Sequence, residues 1–307
     1  MKGFCITNSE SIAENIHRIL SEQLDDIEIQ SDMEGEQIHR AIHEIRKSMK
    51  RIRAVLRMIR DETGYSTYYR ENIFYRDLSR KLSDIRNFEV LSGSIAALKQ
   101  DLSTTIPSDV FDALLTEINH QQEEGTGGQA RLIQLLKITG REVKTGRERI
   151  NDLPIRNNDF SVFEGGIYRV YRQGRKYLSN ARKHPSPTLL HDLRKKMKYF
   201  WYQVEILEPI FPGPMNAYAT TLEAIAESLG VYHDLQVLQE YLAQSEIIPD
   251  ALVSEALQEA CIAKKSMLLQ HIWPLADTAY SEKPHSLIKR LSSYWQVFVN
   301  PLYEPNY

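Results

Sequence analysis

The stretch IHEIRKSMKRIRAVLRMI, Ile42–Ile59, carries apolar side chains at Ile42, Ile45, Met49, Ile52, Leu56 and Ile59. Steps of three and four residues place all six on one stripe of an α-helix. On the same wheel, at about 100° per residue, His39, His43, Arg46, Lys50, Arg53 and Arg57 share a separate arc about 80° wide. Working outward, LHDLRKKMKYF from Leu190 aligns with the segment from Ile42 at an offset of 148, pairing His191 with His43, Arg194 with Arg46, Lys195 with Lys47 and Lys198 with Lys50. LGVYHDLQVL from Leu229 aligns with LSDIRNFEVL from Leu82 at an offset of 147. A duplicated helical unit predicts an all-α fold of two antiparallel helical bundles related by an internal pseudo-twofold axis and joined near residues 150–160.

The chain has 307 residues, 42% of them apolar, enough to bury a sizeable core. Periodicity and turn chemistry predict helices over about 9–27, 35–60, 68–100, 108–124, 129–150, 160–183, 188–208, 217–244, 249–276 and 284–299. The breaks fall at ETGYS, TIPSD, EEGTGG, NDLPIRNND, KHPSPT, FPGPMN and SEIIPD. In HPSPT, Ser186 is placed to cap the next helix with Pro187 in its first turn. Cys5 and Cys261 are far apart and belong to no CxxC pattern, so neither a disulfide framework nor a cysteine zinc site is expected. The start MKGFCITNSE has no apolar signal region and no apolar run is long enough to span a membrane, so a cytoplasmic protein without a membrane partner is expected.

Net charge is −3, but its distribution is lopsided. Residues 39–60 and 169–198 together hold 18 of the 38 Lys and Arg and only two of the 41 acids, Glu44 and Asp192. These windows therefore carry +16 and the remainder −19. A wet helix face normally interleaves Glu and Lys, because like charges at i and i+4 repel. The unrelieved ladders, joined by Arg169, Arg172, Lys176 and Lys183 on one face of a preceding helix, fit a linear polyanion. Arginine forks and lysine point charges favour phosphate over carboxylate. The ladders hold few rings until Trp201 and Tyr202, which disfavours nucleic acid as partner, although a generic backbone contact would suit the same charges.

These segments, together with GGIYRVYRQGRKYLSNARKHPSPT at 165–188, resemble the CHAD domain, the conserved-histidine α-helical domain. Its hallmark is a doubled His-x-x-Arg-(Val/Lys)-x-x-(Arg/Lys)-(Arg/Lys) helix, each copy followed by a helix ending Leu-Gly-x-x-Arg-Asp-x-x-Val-Leu. The resemblance implies a single domain over 1–307, with repeat one at about 8–155 and repeat two at about 156–305. It further implies two four-helix bundles around a basic central channel that binds inorganic polyphosphate; association with polyphosphate granules in the cytoplasm is a separate expectation. Carried over by position, the implied contacts are His43, Arg46, Lys47, Lys50, Arg53 and Arg57 from the first copy and His191, Arg194, Lys195 and Lys198 from the second. Arg169, Arg172, Arg175 and Lys176 come from the basic helix, and Arg76 and Arg80, with Lys81, from the helix after the first copy. Ser83, Asn87 and His233 depart from the pattern. Tyr199 and Trp201 stand where the first copy has Arg51 and Arg53, so contacts are expected to be richer on the first side.

His39 and His43, at i and i+4, have zinc-chelating spacing, but Glu44 lies about 100° from them and cations surround them, so no metal is expected. Phosphoryl transfer needs carboxylates to hold Mg²⁺. The Glu-x-Glu-x-Lys of triphosphate-tunnel hydrolases has only EGEQI at Glu34 as an approximation, with Ile38 in place of Lys, and GTGG at Gly125 lacks the Lys and Ser/Thr of a phosphate loop. The expectation is a non-catalytic binding module with no cofactor; a polyphosphatase or another phosphotransfer enzyme is the alternative, and a general nucleic-acid binder a further one.

Overall fold

A computed structural model describes residues 3–300 except 127, 246 and 249, and within that span leaves aside the side chains of 36, 84–87 and 123–126. The motif positions Arg86 and Asn87 and most of GTGG therefore lie outside the described side chains. Among the described residues there is no strand. The helices are α1 (Ile12–Ser31), α2 (Ile38–Met58), α3 (Arg60–Thr63), α4 (Tyr65–Lys81), α5 (Ser83–Leu102), α6 (Ser108–Thr126) and α7 (Gly128–Asn151). They continue as α8 (Ser161–Lys183), α9 (Pro187–Ile206), α10 (Pro212–Gln244), α11 (Ala251–Ala279) and α12 (Pro284–Val299).

Local chemistry sets most of the boundaries. Ser11 and Glu14 form a reciprocal capping box at the start of α1. Ser186 accepts from the Leu189 N–H, with Pro187 at the first position of α9, as its sequence predicts. Pro212, expected in a loop, instead opens α10, because proline lacks only an N–H that the first turn leaves unpaired anyway.

The helix expected over 68–100 is two helices, broken at Leu82. Arg46 explains the break: its guanidinium donates to the Ser79 carbonyl, which an unbroken helix would bond internally, and to Ser83 Oγ at 2.8 Å. At the aligned place in the second half, α10 runs straight through Gly230, where an added Cβ would sit 3.1 Å from Nη2 of Arg194. The matched arginines thus lean on matched positions, one gripping a broken helix and the other lying on an intact one.

Both predicted apolar stripes are buried, from Ile42 to Ile59 on α2 and its end, and from Leu190 to Leu207 on α9 and its end. α2 packs on α1, α4, α8 and α9, and α9 on α8 and α10. The larger core takes side chains from α1, α2, α4 and α7 and also from α8 to α12, so both sequence halves contribute to it. A smaller core joins α5 and α6 to the distal part of α10 and the first part of α11. α8 approaches α2 so closely at Gly166 that an added Cβ would collide with the carbonyls of Arg57 and Met58.

Candidate anion-binding cleft

Because α2 and α9 bury their apolar stripes, their charged arcs emerge beside each other, and the space between them is closed by α4 and α10. The result is a cleft of about 650 Å³. From α2 it is lined by Arg46, Lys50, Arg53 and Arg57, and from α4 by Arg76 and Arg80. α9 supplies His191, Arg194, Lys195, Lys196 and Lys198, and α10 supplies His233. Among the described residues, ten Lys and Arg thus face two carboxylates, Asp192 and Asp234.

Several of the cations rest against neutral groups. Arg53 Nε donates to Asn72 Oδ1 at 3.2 Å, and Arg57 Nη1 donates to the Arg53 carbonyl at 2.9 Å. The Arg57 guanidinium lies 3.9 Å from the centre of the Tyr199 ring, with Arg53 5.8 Å from the same ring. Lys196 stands 5.6 Å from the Tyr177 ring and Lys198 5.3 Å from Trp201. Carboxylates do enter at the edges: Asp77 lies 2.8 Å from Arg76 and 3.7 Å from Arg80, and Asp192 lies 3.1 Å from Lys195.

Crowding of like charges leaves its mark on the titratable groups. Burial lowers the pKa of Arg53, with neighbouring Arg57 and Arg76 adding to the effect and the Tyr199 hydroxyl opposing it. Burial and then Arg57 lower that of Lys196. His191 is pushed down to about 4, first by burial and then by Lys195, His233 and Arg194. His233, whose ring centre is 4.5 Å from that of His191, is lowered by burial and by Arg194. Both imidazoles are therefore neutral at neutral pH, and the cleft presents a field that incoming negative charge would relieve.

A model of the CHAD domain matches residues 18–243, about three-quarters of the chain. The chain belongs to the CHAD family. Among solved structures it is similar to the crystal structure of the CHAD domain from the plant Ricinus communis, with a TM-score of 0.67 and 17% identity over 91% of this chain and 94% of that one. No curated protein matches it. The family match ends within α10, while the structural likeness extends through most of the chain.

Of the residues that the CHAD resemblance singles out, Arg46, Lys50, Arg53, Arg57, Arg76, Arg80, His191, Arg194, Lys195 and Lys198 line the cleft. The others do not. His43 is exposed, and Lys47 lies 3.5 Å from Glu44. Arg169 is engaged by Asp61 at 2.8 Å, while Arg172 and Lys176 are exposed on α8 and Arg175 is half-buried there. A wheel gives the face of one helix but not the neighbour that covers it, and α8 turns Tyr177 rather than its arginines to the cleft. His39 sits 2.7 Å from Glu89. Glu34 of EGEQI lies 3.1 Å from Lys137. Among the described residues no cluster of three or more His, Cys, Asp or Glu is arranged to hold a metal ion.

Sequence reasoning left Lys196, Tyr177, Tyr199 and His233 out of the site, yet all four line it. Lys196 falls at the edge of the apolar stripe, and its long stem carries the ammonium past that stripe to the cleft. Tyr199 looked like a lost cation. It is the surface on which Arg57 rests.

Proposed function

We propose that this cleft binds inorganic polyphosphate and holds it without cleaving it. The observation that carries the reading is the ten-to-two excess of cations over carboxylates, among the described residues, around one continuous cleft. Arg46 to Arg57 spans about 16 Å along α2, a row matched to a linear chain of negative charges rather than to a single small anion. Arginine forks suit tetrahedral phosphate oxygens. Turnover would require carboxylates free to hold Mg²⁺, and one of the two present, Asp192, already faces Lys195 at 3.1 Å. No helix among the described residues is long and apolar enough to cross a membrane. On this reading the protein acts in the cytoplasm, where it would meet polyphosphate chains and granules.

Calorimetric titration with long-chain polyphosphate tests the proposal, beside single-stranded RNA at matched salt and a phosphate-release assay with Mg²⁺. Binding that weakens as salt rises, weak competition by RNA and no released phosphate are expected. Metal-dependent release above background would favour the phosphotransfer reading, and equal competition by RNA a general nucleic-acid binder.

A further inference from the structure

The cleft wall formed by α4 does not end in charge. Taking Tyr65 as zero, Tyr69, Asn72, Arg76, Ser79 and Arg80 all fall within an arc about 100° wide, so they form one stripe along the helix. The C-terminal part of this stripe lines the cleft through Arg76, Ser79 and Arg80. Its N-terminal end presents two tyrosine rings, Tyr65 at 60% and Tyr69 at 50% exposure. Their centres lie 5.7 Å apart at 31°, and Arg60 stands 4.9 Å from the Tyr65 ring. Tyr68 links this cluster to the cleft: its centre is 6.4 Å from Tyr65 and 5.9 Å from the Arg57 guanidinium.

The same face thus offers cations at one end and open aromatic rings, flanked by a guanidinium, at the other. From Tyr69 to Arg76 the axial rise is about 10 Å, comparable to the reach from a nucleobase to the end of its triphosphate chain. We infer that the cleft also accepts nucleoside oligophosphates, with the phosphate tail among the cleft cations and the base stacked on the Tyr65 and Tyr69 rings. The inference rests on the phosphate-binding reading of the cleft and adds a head group to it. Stacking tolerates any base, because each has a π-face, and the nearby Arg60 adds a cation that a planar ring can meet.

The test compares ATP with inorganic triphosphate, each displacing fluorescently labelled long-chain polyphosphate from the full chain at fixed salt and pH. ATP is expected to compete roughly tenfold better than triphosphate, the lower part of the range for one base stacked on an aromatic side chain. The double variant Tyr65→Leu/Tyr69→Leu should lose that advantage while binding inorganic triphosphate and long-chain polyphosphate as before. Tyr65→Phe/Tyr69→Phe, which keeps the π-faces, should retain it. Equal competition by ATP and triphosphate in the unaltered protein, or an ATP advantage that survives the leucine pair, overturns the stacking site and leaves the polyphosphate reading intact. Failure of the labelled polyphosphate itself to bind overturns both.

Discussion

If the cleft holds a phosphate chain, binding must take up protons in mildly acidic solution, and His191 sets the size of the effect. In the free protein burial, then Lys195, His233 and Arg194, keep this imidazole neutral down to about 4, while Asp192 opposes them weakly. His233 faces it from α10 and is itself lowered by burial and Arg194, with Asp234 and Glu240 opposing. An unfolded chain titrates the same ring near 6.5, so as pH falls from about 6.5 to about 4 the free protein loses stability. The full shift would be worth about 3 kcal/mol, cut to about 1–2 kcal/mol by the solvent that reaches a half-buried ring. A phosphate chain replaces net repulsion by attraction. If it restores the ring to its ordinary pKa, affinity rises about 20-fold between pH 7 and pH 5, with one proton taken up per site. The assay is calorimetric titration with long-chain polyphosphate at constant ionic strength, repeated in buffers of different ionisation enthalpy to count protons; long chains keep the titrating end groups a small share of the charge. His191→Gln should flatten most of the dependence and His191→Gln/His233→Gln the remainder. Affinity in the unaltered protein that stays level from pH 7 to pH 5, or a slope that survives the double substitution, would refute the reasoning.

Lys50→Ala and Arg46→Ala should both weaken polyphosphate binding and flatten its salt dependence, and Arg46→Ala should also lower the melting temperature, because it releases the Ser79 carbonyl and Ser83 Oγ at the α4–α5 break, at a cost of about 1.5–3 kcal/mol. Gly230→Val, read by circular dichroism and titration together, should keep the helical content while weakening binding, since its side chain must push aside the Arg194 guanidinium that an added Cβ would meet at 3.1 Å. Arg57→Lys should bind less tightly although the charge is kept, because the planar contact with Tyr199 is lost; binding equal to that of the unaltered protein would reduce Arg57 to a point charge. Gly166→Leu should destabilise by about 1–3 kcal/mol or more, as its side chain meets the α2 backbone at Arg57 and Met58.

The elements legible in the sequence are those that one helix decides alone. The apolar stripes of α2 and α9 are buried as their spacing requires, and the Ser186 cap forms where HPSPT predicts it. The break at Leu82 was not legible, since the group that stabilises it is Arg46, 33 residues before the Ser79 carbonyl it bonds. The same limit separates the good and poor site assignments. Cations on α2 and α9 meet because their helices pack side by side, whereas the basic face of α8 turns elsewhere, with Arg169 held by Asp61 from α3. Asp61 stands four residues beyond Arg57 in the chain, and nothing in its local sequence tells which helix will come to lie against it.

The pairing pattern also explains how so charged a cleft stays folded without its ligand. The ten ammonium and guanidinium groups could in principle be neutralised by drawing acids from the negative remainder of the chain, yet a site neutralised in that way would have to break each ion pair before it could bind. Carboxylates instead meet only some of the cations in the contacts described, with Asp77 at Arg76 and Arg80 and Asp192 at Lys195. Others also meet weaker acceptors: the Arg53 and Ser79 carbonyls, the Asn72 amide, and the faces of Tyr199 and Tyr177. Such contacts orient a guanidinium without cancelling its charge, and phosphate oxygens can compete for the remaining donors of each fork. The departure of the second copy from the first follows the same logic, for Tyr199 in place of a cation gives Arg57 a surface to rest on where a further arginine would have added only repulsion.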